Sequence, residues 1–235
     1  MRPPSEPALV LLPGLDGTGA LLARFRRALD PAIKTIVVSY PADEEVGYPG
    51  LEDAARTLLP QDEPFVVLAE SFSGPIAVSI AASRPAGLRG VILVCSFARN
   101  PHPLLAALRP LVWLLPIRSA PVALLGWLTL GRFATPGLRN ELADALSQVS
   151  PSVLRGRLRA ILDIDASALL PRIGVPVLYL RASEDRLVPR SAAAVLELVP
   201  DVRLTEIDGP HFLLQASPSA AARRVEAFLR MVAIP

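Results

Sequence analysis

The hydrophobic positions of this chain fall into short, uninterrupted runs that alternate with longer stretches of mixed character. The runs that predict β-strands are residues 8–12, 35–40, 65–69, 90–97, 176–182 and 202–208. Most of them are apolar throughout, which is typical of parallel strands covered on both faces. The stretches that predict helices are residues 19–29, 50–59, 74–83, 189–199 and 217–232. This alternation predicts an α/β fold with a doubly wound, mostly parallel sheet of about six strands joined by right-handed crossovers.

The alternation stops between residues 99 and 166, where the sequence is helical in pattern, punctuated by prolines and rich in Leu and Trp. A length of about 68 residues far exceeds the dozen or so that one crossover requires. We therefore expect an inserted helical cap at residues 99–166 and a core formed by residues 1–98 and 167–235. The alternative is a set of ordinary crossover helices.

Composition narrows the class of protein. Hydrophobic residues make up 51% of the chain, which excludes a disordered protein, and the net charge is only +2. Because the arginines are dispersed, nucleic acid is not expected as a partner.

Cys95 is the only cysteine, so an intrachain disulfide is excluded and an inert buried thiol is expected. The N-terminus does not resemble a signal peptide, and prolines and arginines interrupt the apolar region 104–130. A cytoplasmic protein without a transmembrane segment is the expectation.

The segment VVLAESFSGPIAV, residues 66–78, joins a short apolar run to a helical pattern through a tight turn with Ser71 at its apex. A serine hydroxyl becomes a useful nucleophile when it is held exposed beside a base and an oxyanion site, and a sharp strand-to-helix turn exposes it in this way. Such a turn requires small neighbours, which Ala69, Ser73 and Gly74 provide. The segment is a relaxed form of G-x-S-x-G and predicts a nucleophile. A serine-rich helix N-cap after a buried strand would share the same pattern.

The chain has two histidines that could serve as the base. His211 lies in GPHFLLQ, directly after the last apolar run, and Ser71 follows an earlier one. Because the carboxyl ends of parallel strands share one rim of the sheet, the two side chains are expected to meet there. His102 lies between prolines at the start of the segment 99–166 and is interpreted as a bystander, although it could line the site.

The acid that orients the histidine is expected from the loop SEDRLVP, which follows the run 176–182. Asp185 is preferred over its neighbour Glu184 because it precedes a turn into the next helix. Asp163 and Asp165 lie in a helical context and are expected to be solvated or to cap a helix. The chain order is then Ser, Asp, His, as in α/β-hydrolases.

Two backbone N–H groups are expected to bind a developing oxyanion. One is the N–H of Phe72, at the start of the helix beside the nucleophile. The other is the N–H of Leu15, in the glycine-rich loop LLPGLDGTGALL after the first strand. That loop could also hold a phosphate, but it lacks both the Walker lysine and the dinucleotide spacing. A nucleotide site is therefore not expected, and neither a cofactor nor a metal is part of the prediction.

Taken together, LLPGLDGTG, AESFSG, SEDRLVP and GPHFLLQ resemble the oxyanion loop, nucleophile elbow, acid loop and histidine loop of the α/β-hydrolase superfamily, over nearly the whole chain. The combination is most similar to small bacterial hydrolases and, more distantly, to the hydrolase-like part of plant phytyl ester synthases. The chain departs from the usual pattern at Pro13, where a histidine is common, and at Ala69 and Ser73, which replace the elbow glycines. The resemblance implies a reduced version of the fold.

These features predict a serine hydrolase that acts on a small-molecule carboxylic ester with an apolar acyl or alcohol part. Trp113 and Trp127 are the candidate substrate-binding residues. Other apolar residues of the cap that could line an acyl pocket, or could simply pack the cap onto the core, are Leu104, Leu108, Leu114, Leu125 and Leu128. An acyltransferase would use the same residues, and lyase or C–C hydrolase chemistry also occurs on this fold. A binding or receptor protein without catalysis is the alternative from another class. The sequence leaves open the oligomeric state and the roles of Asp16 and Glu70.

Overall fold

The computed structural model describes residues 6–115 and 122–233. The part of the predicted cap at residues 116–121 and the chain ends at residues 1–5 and 234–235 lie outside this description. The described residues form six strands: β1 (Ala8–Leu12), β2 (Thr35–Val37), β3 (Phe65–Glu70), β4 (Leu88–Val94), β5 (Val177–Glu184) and β6 (Val202–Pro210).

The six strands form one sheet in the order β2-β1-β3-β4-β5-β6, and every neighbouring pair is parallel. The prediction of a doubly wound, parallel α/β sheet is therefore confirmed. The strand order reverses at β1, which pairs with β2 on one side and with β3 on the other. Ligands of such sheets bind beyond the carboxyl ends of the strands near such a reversal.

Helices cover both faces of the sheet. They are α1 (Ala23–Ala28), α2 (Tyr48–Arg56), α3 (Gly74–Ala82), α4 (Val122–Thr129), α5 (Pro136–Ser147), α6 (Pro151–Asp163), α7 (Arg190–Ala194), α8 (Leu213–Ala216) and α9 (Pro218–Val232). Further 3₁₀ turns lie at Ala20–Leu22, Ser71–Ser73, Pro103–Leu114, Gly131–Phe133, Ser167–Arg172 and Val195–Leu198.

Alternate residues of each strand belong to two separate cores, as strand geometry requires. Val10 of β1 packs in the core that contains α2 and α3, whereas Leu9 packs in the core that contains α1 and α9. Because both faces are covered, the central strands are apolar at successive positions.

Strand β4 ends at Val94, three residues before the end of the predicted run. Cys95 takes a left-handed backbone conformation with φ of 47°, which a strand does not accommodate. Beyond it, the Ser96 carbonyl accepts a hydrogen bond from the Tyr179 hydroxyl at 3.0 Å, so it is satisfied by a side chain instead of a neighbouring strand. The predicted strand at 35–40 is likewise shorter in the structure and ends at Val37.

The described part of the segment 99–166 consists of the 3₁₀ turn at Pro103–Leu114, helices α4, α5 and α6, and the short turn at Gly131–Phe133. An isolated antiparallel bridge between Arg99 and Asp165 joins the two ends of the segment. Asp163 forms an ion pair with Arg109, and Asp165 accepts the N–H of Ser167.

Candidate active site

Ser71 lies in the turn between β3 and α3, with its backbone in the left-handed region at φ of 48°. A non-glycine residue in this region costs on the order of 1–3 kcal/mol and persists only where the surroundings enforce it. Gly74 is one reason why the turn can form: a Cβ added there would lie 2.0 Å from Ser96 Oγ and 2.6 Å from the Phe97 carbonyl oxygen. The position that must lack a side chain is therefore 74, one residue later than in the common motif.

Hydrogen bonds from three directions hold the turn in this shape. Ser96 Oγ donates to the Ser71 carbonyl at 2.5 Å, and the Tyr48 hydroxyl donates to the Phe72 carbonyl at 3.1 Å. Ser73 Oγ donates to the carbonyl of Pro13 and accepts from the Tyr40 hydroxyl at 2.7 Å. The Ser73 bond joins the turn to the loop after β1.

The structure brings Ser71, His211 and Asp185 together. Ser71 Oγ lies 2.8 Å from His211 Nε2, and His211 Nδ1 lies 2.9 Å from Asp185 Oδ1 and 3.0 Å from Oδ2. Because an ionised carboxylate can only accept, Nδ1 carries the proton and Nε2 is free to accept from the serine hydroxyl. The imidazole is 3% exposed. A continuous chain of hydrogen bonds thus runs from a buried carboxylate to a half-buried hydroxyl.

Asp185 is held by its own loop as well as by His211. The N–H groups of Leu187 and Val188 donate to Oδ1 at 2.9 and 2.8 Å. Burial opposes ionisation of Asp185, but the neighbouring His211 and these two N–H donors outweigh it, so the pKa of Asp185 is lowered from its ordinary value. Glu184, the alternative acid, instead pairs with Arg132 at 2.6 Å.

His102 lies behind the acid loop, and its partner is not Ser71. Its Nε2 lies 2.7 Å from the Leu187 carbonyl oxygen, to which it can only donate. Leu187 is one of the residues whose N–H holds Asp185, so His102 supports the acid loop from outside.

The two residues expected to bind an oxyanion lie in the elements predicted for them. Phe72 directly follows Ser71 in the short 3₁₀ turn that leads into α3. Leu15 lies in a tight turn in which the Gly17 N–H donates to the Gly14 carbonyl at 3.1 Å. The Asp16 carboxylate closes the same loop by accepting both the N–H and the hydroxyl of Thr18, at 2.9 and 2.6 Å.

Glu70 is a buried acid directly before Ser71 whose role the sequence leaves open. Its carboxylate accepts hydrogen bonds from Gln215 Nε2 at 3.0 and 3.3 Å. Burial raises the pKa of Glu70 to about 7, helped by the nearby Asp16, while Gln215 and His211 act in the opposite direction. A Cβ on Gly14 would be 3.7 Å from oxygens of both acids, so the two carboxylates flank that glycine. The feature of the sequence that could have singled out Glu70 is its position as an acid at the end of an otherwise apolar strand.

Cys95 contributes a third group beside the acid and the histidine. One potential ligand atom from each of Cys95, Asp185 and His211 lies within 4.8 Å of the others. Burial and the Asp185 charge raise the pKa of the Cys95 thiol well above its ordinary value, which disfavours the thiolate that a metal would require. Asp185 and the His211 ring are already paired with each other, so we assign no metal to this cluster.

Trp113 and Trp127 are 44% and 56% exposed. The guanidinium of Arg159 lies over the Trp113 ring at 4.9 Å, and that of Arg186 lies over the Trp127 ring at 4.5 Å. Arg186 directly follows Asp185, so Trp127 lies beside the acid loop. Contact of either ring with a substrate stays a prediction. Of the other apolar residues predicted to line a pocket, Leu104, Leu108 and Leu114 are exposed, whereas Leu125 and Leu128 are half-buried.

Segment 99–166 contacts three of the loops that carry the site, namely the Leu15 loop, the acid loop and the histidine loop. Arg157 of α6 donates to the carbonyls of Leu15 and Asp16, and the N–H of Phe212, next to His211, donates to the Thr129 carbonyl of α4 at 3.0 Å. Sequence reasoning missed Arg157, which has no motif of its own.

None of the helices in the described ranges is both long and apolar enough to cross a bilayer.

Comparison with known proteins connects this site to a family and to several relatives. Residues 9–225 match the family described as the Alpha/beta hydrolase family. Phytyl ester synthase 1 of Arabidopsis thaliana is 32% identical over 112 residues, covering 43% of this chain and 16% of that protein. The polyketide synthase ThaQ of Burkholderia thailandensis is 30% identical over 251 aligned residues, covering 95% of this chain and 12% of ThaQ. The chain thus spans only a small part of the length of either curated relative.

A solved structure extends the similarity of fold to nearly the whole chain. The thermophilic esterase from Thermogutta terrifontis, with malate bound, superimposes with a TM-score of 0.82 at 18% sequence identity. The match covers 96% of this chain and 90% of that esterase.

Proposed function

We propose that this chain, which belongs to the α/β-hydrolase family, is a serine hydrolase that cleaves carboxylic esters with an apolar acyl or alcohol part. The observation that carries the proposal is the hydrogen-bonded chain from Asp185 through His211 to Ser71. Nucleophile, base and orienting acid are within hydrogen-bond distance in the order that acyl transfer through serine requires. The name of the Thermogutta terrifontis esterase, whose fold this chain shares, is consistent with an ester as the substrate.

In the proposed reaction, Ser71 Oγ attacks the ester carbonyl while His211 Nε2 takes the hydroxyl proton. The Asp185 carboxylate keeps the proton of His211 on Nδ1 and stabilises the imidazolium that forms. The tetrahedral intermediate collapses, the C–O bond to the leaving alcohol breaks, and His211 returns the proton to that alcohol. Water then attacks the acyl-enzyme with His211 again as the base, which releases the carboxylic acid and regenerates Ser71.

The N–H groups of Leu15 and Phe72 are proposed to bind the oxyanion of the tetrahedral intermediate. Phe72 lies beside the nucleophile at the start of a helix, where N–H groups lack partners from a preceding turn. The bond from Ser73 to the Pro13 carbonyl supports the assignment of Leu15, because it keeps the loop after β1 against the nucleophile turn. Removing one such donor costs about 10²–10³ in kcat in serine hydrolases.

Residues 99–166 are proposed to act as a helical cap over this rim, with residues 1–98 and 167–235 as the core. Contacts of Arg157 with the Leu15 loop, of Trp127 with Arg186 and of Thr129 with Phe212 support the proposal. In this arrangement Trp113 and Trp127 would bind the apolar part of the substrate.

An acyltransferase is the second candidate function. It would form the same acyl-enzyme but deliver the acyl group to an alcohol in place of water. The similarity to phytyl ester synthase 1, whose name describes the making of an ester, favours it. It differs from hydrolysis only in the acceptor of the second step.

The test combines labelling with turnover. A fluorophosphonate should label the protein once, on Ser71, as mapped by mass spectrometry, and Ser71→Ala should abolish both labelling and turnover of p-nitrophenyl esters. Ser147→Ala, at an exposed position on α5, is the matched control and should keep both. Adding a long-chain alcohol separates the two functions, because an acyltransferase would form the new ester in preference to the free acid. Labelling at Ser73, or a folded protein that is not labelled, would contradict the assignment.

A further inference from the structure

We propose that Arg157 of helix α6 is a positioning residue for the oxyanion site, holding the turn of residues 14–17 so that the Leu15 N–H faces the reacting carbonyl. The proposal rests on the function proposed above and assigns a role in it to a residue that lies 142 positions from Leu15 in the chain.

The guanidinium of Arg157 bonds to three backbone carbonyls from two separate loops. Nη1 donates to the carbonyls of Leu15 at 2.9 Å and Asp16 at 2.8 Å, and Nη2 donates to the carbonyl of Pro41 at 2.8 Å. The side chain is almost completely buried, and its guanidinium lies 5.8 Å from the centre of the Tyr40 ring. Tyr40 is the residue that donates to Ser73 of the nucleophile turn.

The direction of the Leu15 N–H depends on the turn as a whole, because each peptide unit is planar and trans. In the unit that joins Gly14 to Leu15, the carbonyl accepts from the Gly17 N–H, so the Leu15 N–H must point away from the interior of the turn. In the next two units, the carbonyls of Leu15 and Asp16 point at Arg157. All three peptide units of the turn are thereby fixed, two of them by one side chain.

The chemistry of this contact requires arginine. Only the planar fork of a guanidinium can donate in fixed directions to carbonyls on two loops, whereas a lysine would bring a single point charge. Burial lowers the pKa of Arg157, and the Asp16 charge opposes that change. Asp16 thus provides the negative charge that a buried cation needs, on the loop that the cation holds. Gly17 leaves room for the Arg157 guanidinium, because a Cβ added at Gly17 would lie only 2.5 Å from Arg157 Nη1.

The experiment compares Arg157→Met and Arg157→Lys with Arg155→Met. Arg155 lies on the same helix and also donates to a backbone carbonyl, that of Leu115, so it is a matched control outside the site. Prolonged fluorophosphonate labelling counts the competent serines, and kcat is then expressed per labelled serine. A purely structural role would lower the labelled fraction, whereas a positioning role lowers the turnover of each labelled site.

For Arg157→Met we expect kcat per labelled serine to fall about 100-fold, as for loss or misplacement of one oxyanion donor, with KM changing less than about threefold. Inhibition by an alkyl trifluoromethyl ketone, whose adduct with serine carries an oxyanion, should weaken in parallel. Arg157→Lys should be intermediate, and Arg155→Met should match the unsubstituted protein. The proposal is overturned if kcat per labelled serine in both Arg157 variants equals that of the control.

Two further outcomes are distinguishable. An unsubstituted protein that is folded but neither labels nor turns over esters contradicts the proposed function itself. If neither variant folds, the unsubstituted protein with ¹⁵N-labelled arginine decides: forming the ketone adduct should shift the Arg157 Nη resonances but not those of Arg155. Equal shifts, or none at Arg157, would overturn the proposal.

Discussion

The Nε2 atom of His211 lies 2.8 Å from the Oγ atom of Ser71, although the two residues are 140 positions apart in the chain. Their strands, β3 and β6, are separated in the sheet by β4 and β5. At an ordinary strand spacing, the two strands are about 14 Å apart, so the loop after β6 must reach across two strand ends. The backbone bond from Phe212 to Thr129 supports that loop from the other side.

We expect His211→Ala to abolish ester turnover and His102→Ala to reduce it only a few-fold. His211 is the base of the proposed reaction, whereas His102 donates to the Leu187 carbonyl and supports the acid loop indirectly. Steady-state kinetics on both variants, with circular dichroism to verify folding, makes the comparison. A folded His102→Ala protein that is inactive, together with a His211→Ala protein that keeps turnover, would mean that the base has been assigned to the wrong histidine.

Asp185→Asn should lower kcat by about 10⁴-fold, because an amide no longer selects the imidazole tautomer with its proton on Nδ1. Glu184→Gln is the neighbouring control. It loses only an ion pair with Arg132 at the surface and should leave kcat within about twofold, since such pairs contribute little. A comparable loss in both variants would indicate that the loop is required as a whole and that Asp185 has no special role.

Glu70→Gln should stabilise the protein more at pH 8 than at pH 5. Burial raises the pKa of Glu70 to about 7, so between the ordinary value of 4.5 and pH 7 the folded state retains a proton that the unfolded chain loses. The free energy of unfolding therefore falls as the pH rises through this window, by about 1.4 kcal/mol for each unit of pKa difference. The variant has no such penalty.

Urea unfolding of the two proteins across this pH range measures the difference. Glu197→Gln, which makes the same change from acid to amide at an exposed position, is the control. A pH-independent difference for Glu70→Gln would show that the folded protein binds no extra proton at this position.

Trp113→Ala and Trp127→Ala should raise KM for long-chain esters more than for the acetate, with kcat nearly unchanged. Each methylene that loses its apolar contact costs about 0.8 kcal/mol of binding, or roughly fourfold in KM. The measurement is kcat/KM for p-nitrophenyl esters from C2 to C12, with the acetate as the internal control. An equal loss at every chain length would mean that the rings stabilise the segment and do not contact the substrate.

Much of the sheet could be predicted from the sequence because its central strands β1, β3 and β4 are buried on both faces and are therefore almost continuously apolar. The end of β4 could not, since Cys95 is as apolar as the residues before it and nothing in the pattern indicates a left-handed backbone there. Similarly, Gly74 lies one residue beyond the last position of the G-x-S-x-G motif, so the motif does not mark it as a required glycine. Only the positions of Ser96 and Phe97 reveal that it is the residue without room for a side chain.

The proximity of Ser71, Asp185 and His211 was predictable because each follows a strand of one parallel sheet. Two histidines in the whole chain left little choice for the base. Arg157 was not predictable, because its partners are backbone carbonyls, which any residue could supply. Glu70 was visible in the sequence as an acid at the end of an apolar strand, but the side chain that donates to its buried carboxylate, Gln215, is 145 positions away.

The bonds from Arg157 to Leu15 and Asp16 have a consequence for protein engineering. A segment inserted between β4 and β5 is a natural unit to exchange between related enzymes when the aim is to change substrate preference and leave the catalytic residues unchanged. Here a graft that replaced everything between the bridge residues Arg99 and Asp165 would also discard Arg157, and we expect the chimera to be slowed on every ester, as Arg157→Met is. A chimera that exchanges residues 99–149 and retains α6 keeps the Arg157 guanidinium in place. The boundary for recombination therefore lies inside the segment and not at its ends.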